Sequence, residues 1–177
     1  MEKQIMVVAD QLAEVAERCG VTVAVAESLT AGNVATALGA ASDSSVWFRG
    51  GVVAYAAEVK RHVLGVPDVP VVSETAARAM AEGVRSLMDA DIAVATTGVG
   101  GPDPQDGEAA GSVWFCVVSR SDARASHRQY DGDPAEVVAL SVQYAIELLL
   151  SMAKAVHSQD NHRDPPSGAG TGPEQRP

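Results

Sequence analysis

The chain opens with apolar residues that recur at spacings of three and four positions. The pattern is carried by Ile5, Val8, Leu12, Val15 and Cys19. This spacing places the side chains on one face of an α-helix, and Gly20 directly after them predicts where the helix ends. We therefore expect an opening amphipathic helix whose apolar face covers a sheet.

Short apolar runs alternate with helical patterns along the rest of the chain. The runs that predict strands cover 21–26, 50–55, 91–97, 111–119 and 124–130. The first is apolar at nearly every position, which is typical of a strand buried on both faces, and we expect the second to be buried as well. The alternation predicts an α/β fold, a single-domain layered sandwich with a mixed, largely buried sheet covered by helices.

Helix signals lie between and after these strands. Helical patterns cover 31–41 and 58–64, and Ser73 predicts the start of a further helix. The segment 133–136 has a capping acid, a proline at the first helical position and an acid at the third, which predicts a last helix to about Val156.

The end of the chain differs in composition from the rest. Residues 157–177 are rich in proline and glycine and contain no large apolar side chain. We predict a disordered tail there and one folded domain over 1–156. Of the 177 residues 46% are apolar, which suffices for a core without disulfides or metal.

Charge and composition exclude several classes of function. The chain has 23 acidic and 13 basic side chains and a pI near 4.7, so we expect no direct binding to nucleic acid. The histidines have no metal-ligand spacing with an acid or a cysteine, so a metal site is unsupported. No apolar run approaches the roughly 20 residues of a membrane span, and Cys19 and Cys116 look like small buried hydrophobes. We therefore expect a cytoplasmic protein with no membrane partner.

The first segment with candidate chemistry is AESLTAG, residues 26–32. It follows a buried strand and leads into a helix, which holds Ser28 at the edge where open α/β sheets bind ligands. A serine held there is a candidate nucleophile. The alternative is that Ser28 or Thr30 only caps the helix.

Two further segments end strands in the same way. In GGVVAYAAEVK, residues 50–60, Tyr55 ends a strand and Lys60 follows in a helix. A lysine serves as a base only when its surroundings keep it neutral, and the alternative is a solvated lysine. In TTGVGGPDP, residues 96–104, the backbone N–H groups of the glycines are candidates to cradle a phosphate or an oxyanion, and the alternative is a plain loop.

Together with SSVWFRGG, VSETAARAMAEGVR and GSVWF, these segments resemble the C-terminal domain of the competence/damage-inducible CinA family. The resemblance runs from about Glu14 to Leu150. It implies hydrolysis of the carboxamide of nicotinamide mononucleotide to the acid nucleotide and ammonia, without metal or cofactor. It also implies Ser28 as the nucleophile, with Tyr55 and Lys60 beside it, and a homo-oligomer.

The same resemblance implies where the nucleotide substrate and the oxyanion are bound. The oxyanion hole comes from backbone N–H groups near Ser28 to Thr30 or near Ser45. The substrate-binding residues are expected to be Thr30, Gly32, Ser45, Gly50, Gly51, Thr97, Gly98, Gly100 and Gly101. The apolar segment 46–48 is a candidate oligomer contact if it is exposed.

Several positions depart from the family pattern. Ala31 stands where the family has glycine, and Ala56 and Ala57 replace a serine and an asparagine. Pro134 and Val138 replace two arginines, and an arginine fork binds phosphate in a way that neither residue can. Arg49, Arg61 and Arg128 are candidates to compensate. The alternative to an enzyme is therefore a catalytically weak member that binds a nucleotide-like ligand or a partner.

Overall fold

The computed structural model describes residues 2–105 and 107–160. In chain order these residues form α1 (Glu2–Cys19), β1 (Val23–Glu27), α2 (Asn33–Gly39), α3 (Ser44–Trp47), β2 (Phe48–Val53), α4 (Ala57–Leu64), α5 (Glu74–Leu87), β3 (Ile92–Gly98), β4 (Ser112–Val118), β5 (Ala123–Gln129) and α6 (Pro134–Asp160). The predicted order of helices and strands is confirmed except for α3, which the sequence did not predict.

The strands form one mixed sheet in the order β2-β1-β3-β4-β5. β2, β1 and β3 run parallel, while β3, β4 and β5 are antiparallel neighbours. The central strands β1, β3 and β4 are almost entirely buried. The prediction of a mixed, largely buried sheet covered by helices is confirmed.

Helices cover both faces of this sheet. On one face α1, α2 and α6 pack against the larger side chains of the central strands, such as Ile92 and Phe115. On the other face α4 and α5 pack against small ones, such as Ala24 and Ala93. The small side chains let α5 lie close to the sheet, and Gly83 lets α5 approach the α4 backbone at Leu64, where a Cβ would lie 2.2 Å from the carbonyl oxygen.

The second strand differs from its prediction. β2 is an edge strand with a neighbouring strand on one side only, and its residues alternate between half-buried and exposed instead of being buried. The segment 46–48 does not form an exposed apolar patch either. Trp47 is buried in α3 and Phe48 is half-buried, which leaves Val46 as its exposed member.

The last helix is longer than predicted. α6 ends at Asp160, so residues 157–160 are helical rather than part of the tail, and 161–177 lie outside the described residues. Over Pro134–Ser158 the helix is long and apolar enough to cross a membrane, contrary to the sequence prediction. Its buried side chains, Ile146 and Leu149 among them, pack in the core with α1 and the sheet, as expected of a core helix.

Candidate active site

A cavity of about 340 Å³ lies at the edge of the sheet where the parallel strands end. Ser28 follows β1, Tyr55 follows β2, and Thr97 and Gly98 end β3, because the carboxyl ends of parallel strands meet at one edge. The other lining residues are Leu29, Lys60, Val71, Val72, Val99, Gly100, Gly101, Pro102, Asp103, Gln105, Pro134 and Val138. The structure thus brings together the three predicted catalytic residues and four of the predicted substrate-binding residues.

Ser28 is held rigidly at this edge. It is 8% exposed, and its backbone N–H donates to the carbonyl of Thr96 on the neighbouring strand at 3.1 Å. Its own carbonyl accepts from the N–H of Ala31. The backbone of Ser28 is therefore fixed on both sides, and its side chain lines the cavity.

The helix after Ser28 is capped by a residue that the sequence analysis did not single out. Glu27, fully buried at the end of β1, accepts from the N–H groups of Gly32, Val34 and Ala35 at 2.8–3.1 Å. The N-cap position itself is Gly32, which has no side chain to cap the helix. The interpretation of Ser28 or Thr30 as the cap is therefore wrong.

Lys60 lies in α4 with its side chain directed into the protein. It is 2% exposed, and its Nζ donates to the backbone carbonyl of Tyr55 at 3.0 Å. The alternative of a solvated lysine is therefore wrong. The contact with Tyr55 is through the backbone, while the Tyr55 side chain is 70% exposed at the rim of the cavity.

The opposite wall is the end of β3 and the loop after it. The Thr97 hydroxyl donates to the carbonyl of Val71 at 2.6 Å, which ties the segment before α5 to the sheet. Farther along the loop, Glu108 accepts from the Ser112 hydroxyl at 2.7 Å, and that hydroxyl lies 2.8 Å from Nε2 of His127. These contacts hold both ends of the glycine-rich wall.

The start of α6 completes the lining. Pro134 and Val138, one helical turn apart, both line the cavity. Asp133 caps this helix, because its Oδ1 accepts from the N–H groups of Ala135 and Glu136 at 2.9 Å. The two positions that would hold arginines in the family pattern therefore do face the Ser28 cavity, and here they present apolar side chains.

Five predicted substrate-binding residues do not line this cavity. Thr30 is buried beneath it, where its hydroxyl pairs with that of Thr96 at 2.8 Å. Gly32 donates to Glu27, and Ser45 is exposed in α3. Gly50 and Gly51 lie in β2, where Gly51 is packed so closely on β1 that a Cβ would lie 2.4 Å from Val25. Their binding roles stay predictions from the sequence.

The structure narrows the choice of oxyanion donors. The N–H of Ser28 is used within the sheet, and Ser45 is not in the lining. Among the described residues, the N–H groups of Leu29 and Thr30 make no hydrogen bond. Leu29 lines the cavity and follows the nucleophile, so its N–H is the best placed of the predicted donors.

The other sequence expectations concern cysteine, metal and arginine. Burial raises the pKa of the Cys116 thiol to about 11, which fits an inert core residue, whereas Cys19 is half-buried. Over 2–105 and 107–160, no group of three or more His, Cys, Asp or Glu side chains could hold a metal ion. Arg49, Arg61 and Arg128, the candidates to replace the two missing family arginines, are not in the cavity lining.

Comparison with known proteins gives one consistent family. The model of the CinA C-terminal domain matches residues 6–153. A putative competence-damage inducible protein of Bacillus velezensis is 34% identical over 147 residues, covering 80% of this chain and 35% of the relative. Protein YdeJ of Escherichia coli is 36% identical over 133 residues, covering 72% of this chain and 77% of the relative. The chain spans about a third of the length of the Bacillus velezensis relative and of relatives from Gemmatimonas aurantiaca and Geobacillus kaustophilus.

Solved structures agree with this assignment. The CinA superfamily protein KP700603 of Klebsiella pneumoniae superposes with a TM-score of 0.81 at 34% identity, over 85% of this chain and 98% of that chain. A CinA superfamily protein of Escherichia coli gives the same TM-score at 32% identity, over 84% and 90%. The open five-stranded α/β sheet is therefore the fold of these single-domain structures.

Proposed function

The chain belongs to the CinA C-terminal domain family, and we propose that it is an amidohydrolase that acts on the carboxamide of nicotinamide mononucleotide or a close relative. This family includes some amidases. The observation that carries the proposal is that Ser28 and the buried Lys60 line one cavity at the carboxyl edge of the parallel strands. A nucleophile and a base that share one cavity are the groups that acyl transfer needs.

In the proposed first step, Lys60 accepts the Ser28 proton while Oγ attacks the carboxamide carbon. A neutral lysine can do this, as in the Ser-Lys variants of the serine triad. The Tyr55 carbonyl accepts from Nζ at 3.0 Å and so orients the amine. The C–N bond then breaks, a proton passes to the leaving nitrogen, and ammonia departs from an acyl-serine ester.

The oxyanion forms next to the turn that follows Ser28. We assign its stabilisation to the N–H of Leu29, since a fixed donor aimed at the developing charge lowers the barrier. Glu27 holds this turn in place by accepting from Gly32, Val34 and Ala35. Water then attacks the ester, with Lys60 again as base, and releases the carboxylate product and free Ser28.

The proposal is tested by incubating the purified protein with nicotinamide mononucleotide and measuring ammonia and the acid nucleotide. We expect turnover in the wild type and a loss of at least about 10³-fold in Ser28→Ala, since the nucleophile is removed. Ser141→Ala removes a buried serine hydroxyl that donates to the Val137 carbonyl within α6, outside the cavity lining, and serves as the matched control. No turnover, or turnover equal in Ser28→Ala, would contradict the proposal.

A binding module is the second candidate, and the apolar Pro134 and Val138 at the cavity favour it. A catalytically weak member would bind a nucleotide-like ligand or a partner without hydrolysing the amide. Calorimetry with nicotinamide mononucleotide separates the two functions when it is combined with the ammonia assay. Binding without ammonia release indicates the module, and ammonia release indicates the enzyme.

A further inference from the structure

The charges around the Ser28 cavity point to a particular class of substrate. Resting on the proposed amidase function, we propose that the site prefers an N-glycosylpyridinium carboxamide without a phosphate group over its phosphorylated form. The preference follows from the groups that line the cavity, from the helices that begin around it and from the arginines that lie elsewhere.

The side chains of the lining offer a phosphate few cationic partners. Among the lining residues that the structure describes, Lys60 is the one basic side chain, and its Nζ is directed to the Tyr55 carbonyl. Asp103 contributes a carboxylate at the rim, and Pro134 and Val138 contribute apolar surface. A phosphate would lose its hydration here without gaining a guanidinium or a second ammonium partner.

Helix N-termini, the other common phosphate binders, carry carboxylates of this chain. α2, α4, α5 and α6 all begin at this edge of the sheet, and each has an acidic side chain at its start. These side chains are Glu27, Glu58, Glu74, Asp133 and Glu136. Glu27, Asp133 and Glu136 accept from backbone N–H groups there. All five carboxylates offset the positive end of a helix dipole, so these helix ends do not favour a phosphate.

The arginines that were candidates to replace the two missing phosphate-binding arginines form other contacts or lie outside the cavity. Arg61 forms an ion pair with Asp68 at 3.0 Å. Arg128 donates to the Tyr144 hydroxyl at 2.8 Å and lies over that ring. Arg49 is exposed on β2. None of the three lines the cavity, so the phosphate has no alternative arginine there.

The same rim suits a positively charged ring. The exposed Tyr55 side chain presents an aromatic surface at the cavity, and a pyridinium ion can stack on such a surface. The Asp103 carboxylate adds a favourable charge for that ring and an unfavourable one for a phosphate. The site therefore favours the cationic substrate without the phosphate.

The test compares nicotinamide riboside with nicotinamide mononucleotide, which differ by one phosphate. We expect kcat/KM for the riboside to be at least about tenfold higher, because the phosphate loses hydration and meets the Asp103 carboxylate without a cationic partner. A higher kcat/KM for the mononucleotide would overturn this preference while leaving the amidase standing. Turnover of neither compound would overturn the proposed amidase and the preference with it.

Paired variants test whether the cavity charge is the cause. Pro134→Arg places a guanidinium in the lining at an exposed position, and we expect it to raise kcat/KM for the mononucleotide about tenfold while the riboside changes little. Ala135→Arg adds the same charge at the next exposed residue, which lies outside the cavity lining. It should keep the wild-type ratio of kcat/KM for the riboside to kcat/KM for the mononucleotide. An equal change of the ratio in both variants, or no change in Pro134→Arg, would overturn the charge-based account.

Discussion

Ala31 adopts a backbone conformation that favours glycine. Its φ of 49° lies in the left-handed region, and its side chain is exposed. Since this region costs an L-residue roughly 1–2 kcal/mol, we expect Ala31→Gly to raise the free energy of unfolding by about 1 kcal/mol. Urea denaturation measures the change. Ala79→Gly, the same replacement inside α5, should instead lower it by about 0.5–1 kcal/mol, and a matching loss in Ala31→Gly would contradict the interpretation.

At the residue scale, the sequence predicted the residues that come directly after the strands better than those farther along the turns. Ser28, Tyr55 and Lys60 meet at one cavity because parallel strands deliver their following residues to one edge. Thr30 is only two positions from Ser28 but points beneath the cavity, since neighbouring turn residues face different directions. The sequence did not predict the role of Glu27, because its hydrogen-bond partners lie five to eight residues later and form no short motif.

At the element scale, the start of α2 depends on a buried carboxylate. Glu27→Ala leaves the N–H groups of Gly32, Val34 and Ala35 without their acceptor, so we expect a loss of roughly 3 kcal/mol in the free energy of unfolding. Asp133→Ala removes an exposed cap of α6 and should cost about 1 kcal/mol. Urea denaturation at neutral pH compares the variants. A loss no larger in Glu27→Ala than in Asp133→Ala would show that α2 does not depend on this cap.

The elements themselves were largely predictable because apolar periodicity reports burial. The strands and the long helices α1, α5 and α6 follow that pattern. The prediction for β2 was wrong about burial, because whether a strand lies in the middle or at the edge of a sheet depends on which strands pair with it. α3 was missed because a single helical turn is too short to show a periodicity.

At the scale of the whole molecule, part of the acidity lies where it bears on the proposed substrate. The chain carries a formal net charge of −10, and each helix that begins at the cavity edge has a carboxylate at its start. The homo-oligomer and the cytoplasmic location stay predictions. Burial of Trp47 removes the segment 46–48 as the expected apolar contact for such an oligomer.

The central claim is that Ser28 and Lys60 work as one nucleophile and base pair. The most direct measurement is kcat/KM for amide hydrolysis in Ser28→Ala, Lys60→Arg and the double variant. Lys60→Arg keeps a long basic side chain, but a guanidinium stays protonated and cannot accept the proton. We predict that kcat/KM falls at least about 10³-fold in each single variant. In the double variant it should fall no further than in the more impaired single variant, since the effects of residues that act as a unit are not additive. Losses that multiply in the double variant, or a Lys60→Arg protein within tenfold of the wild type, would contradict the account.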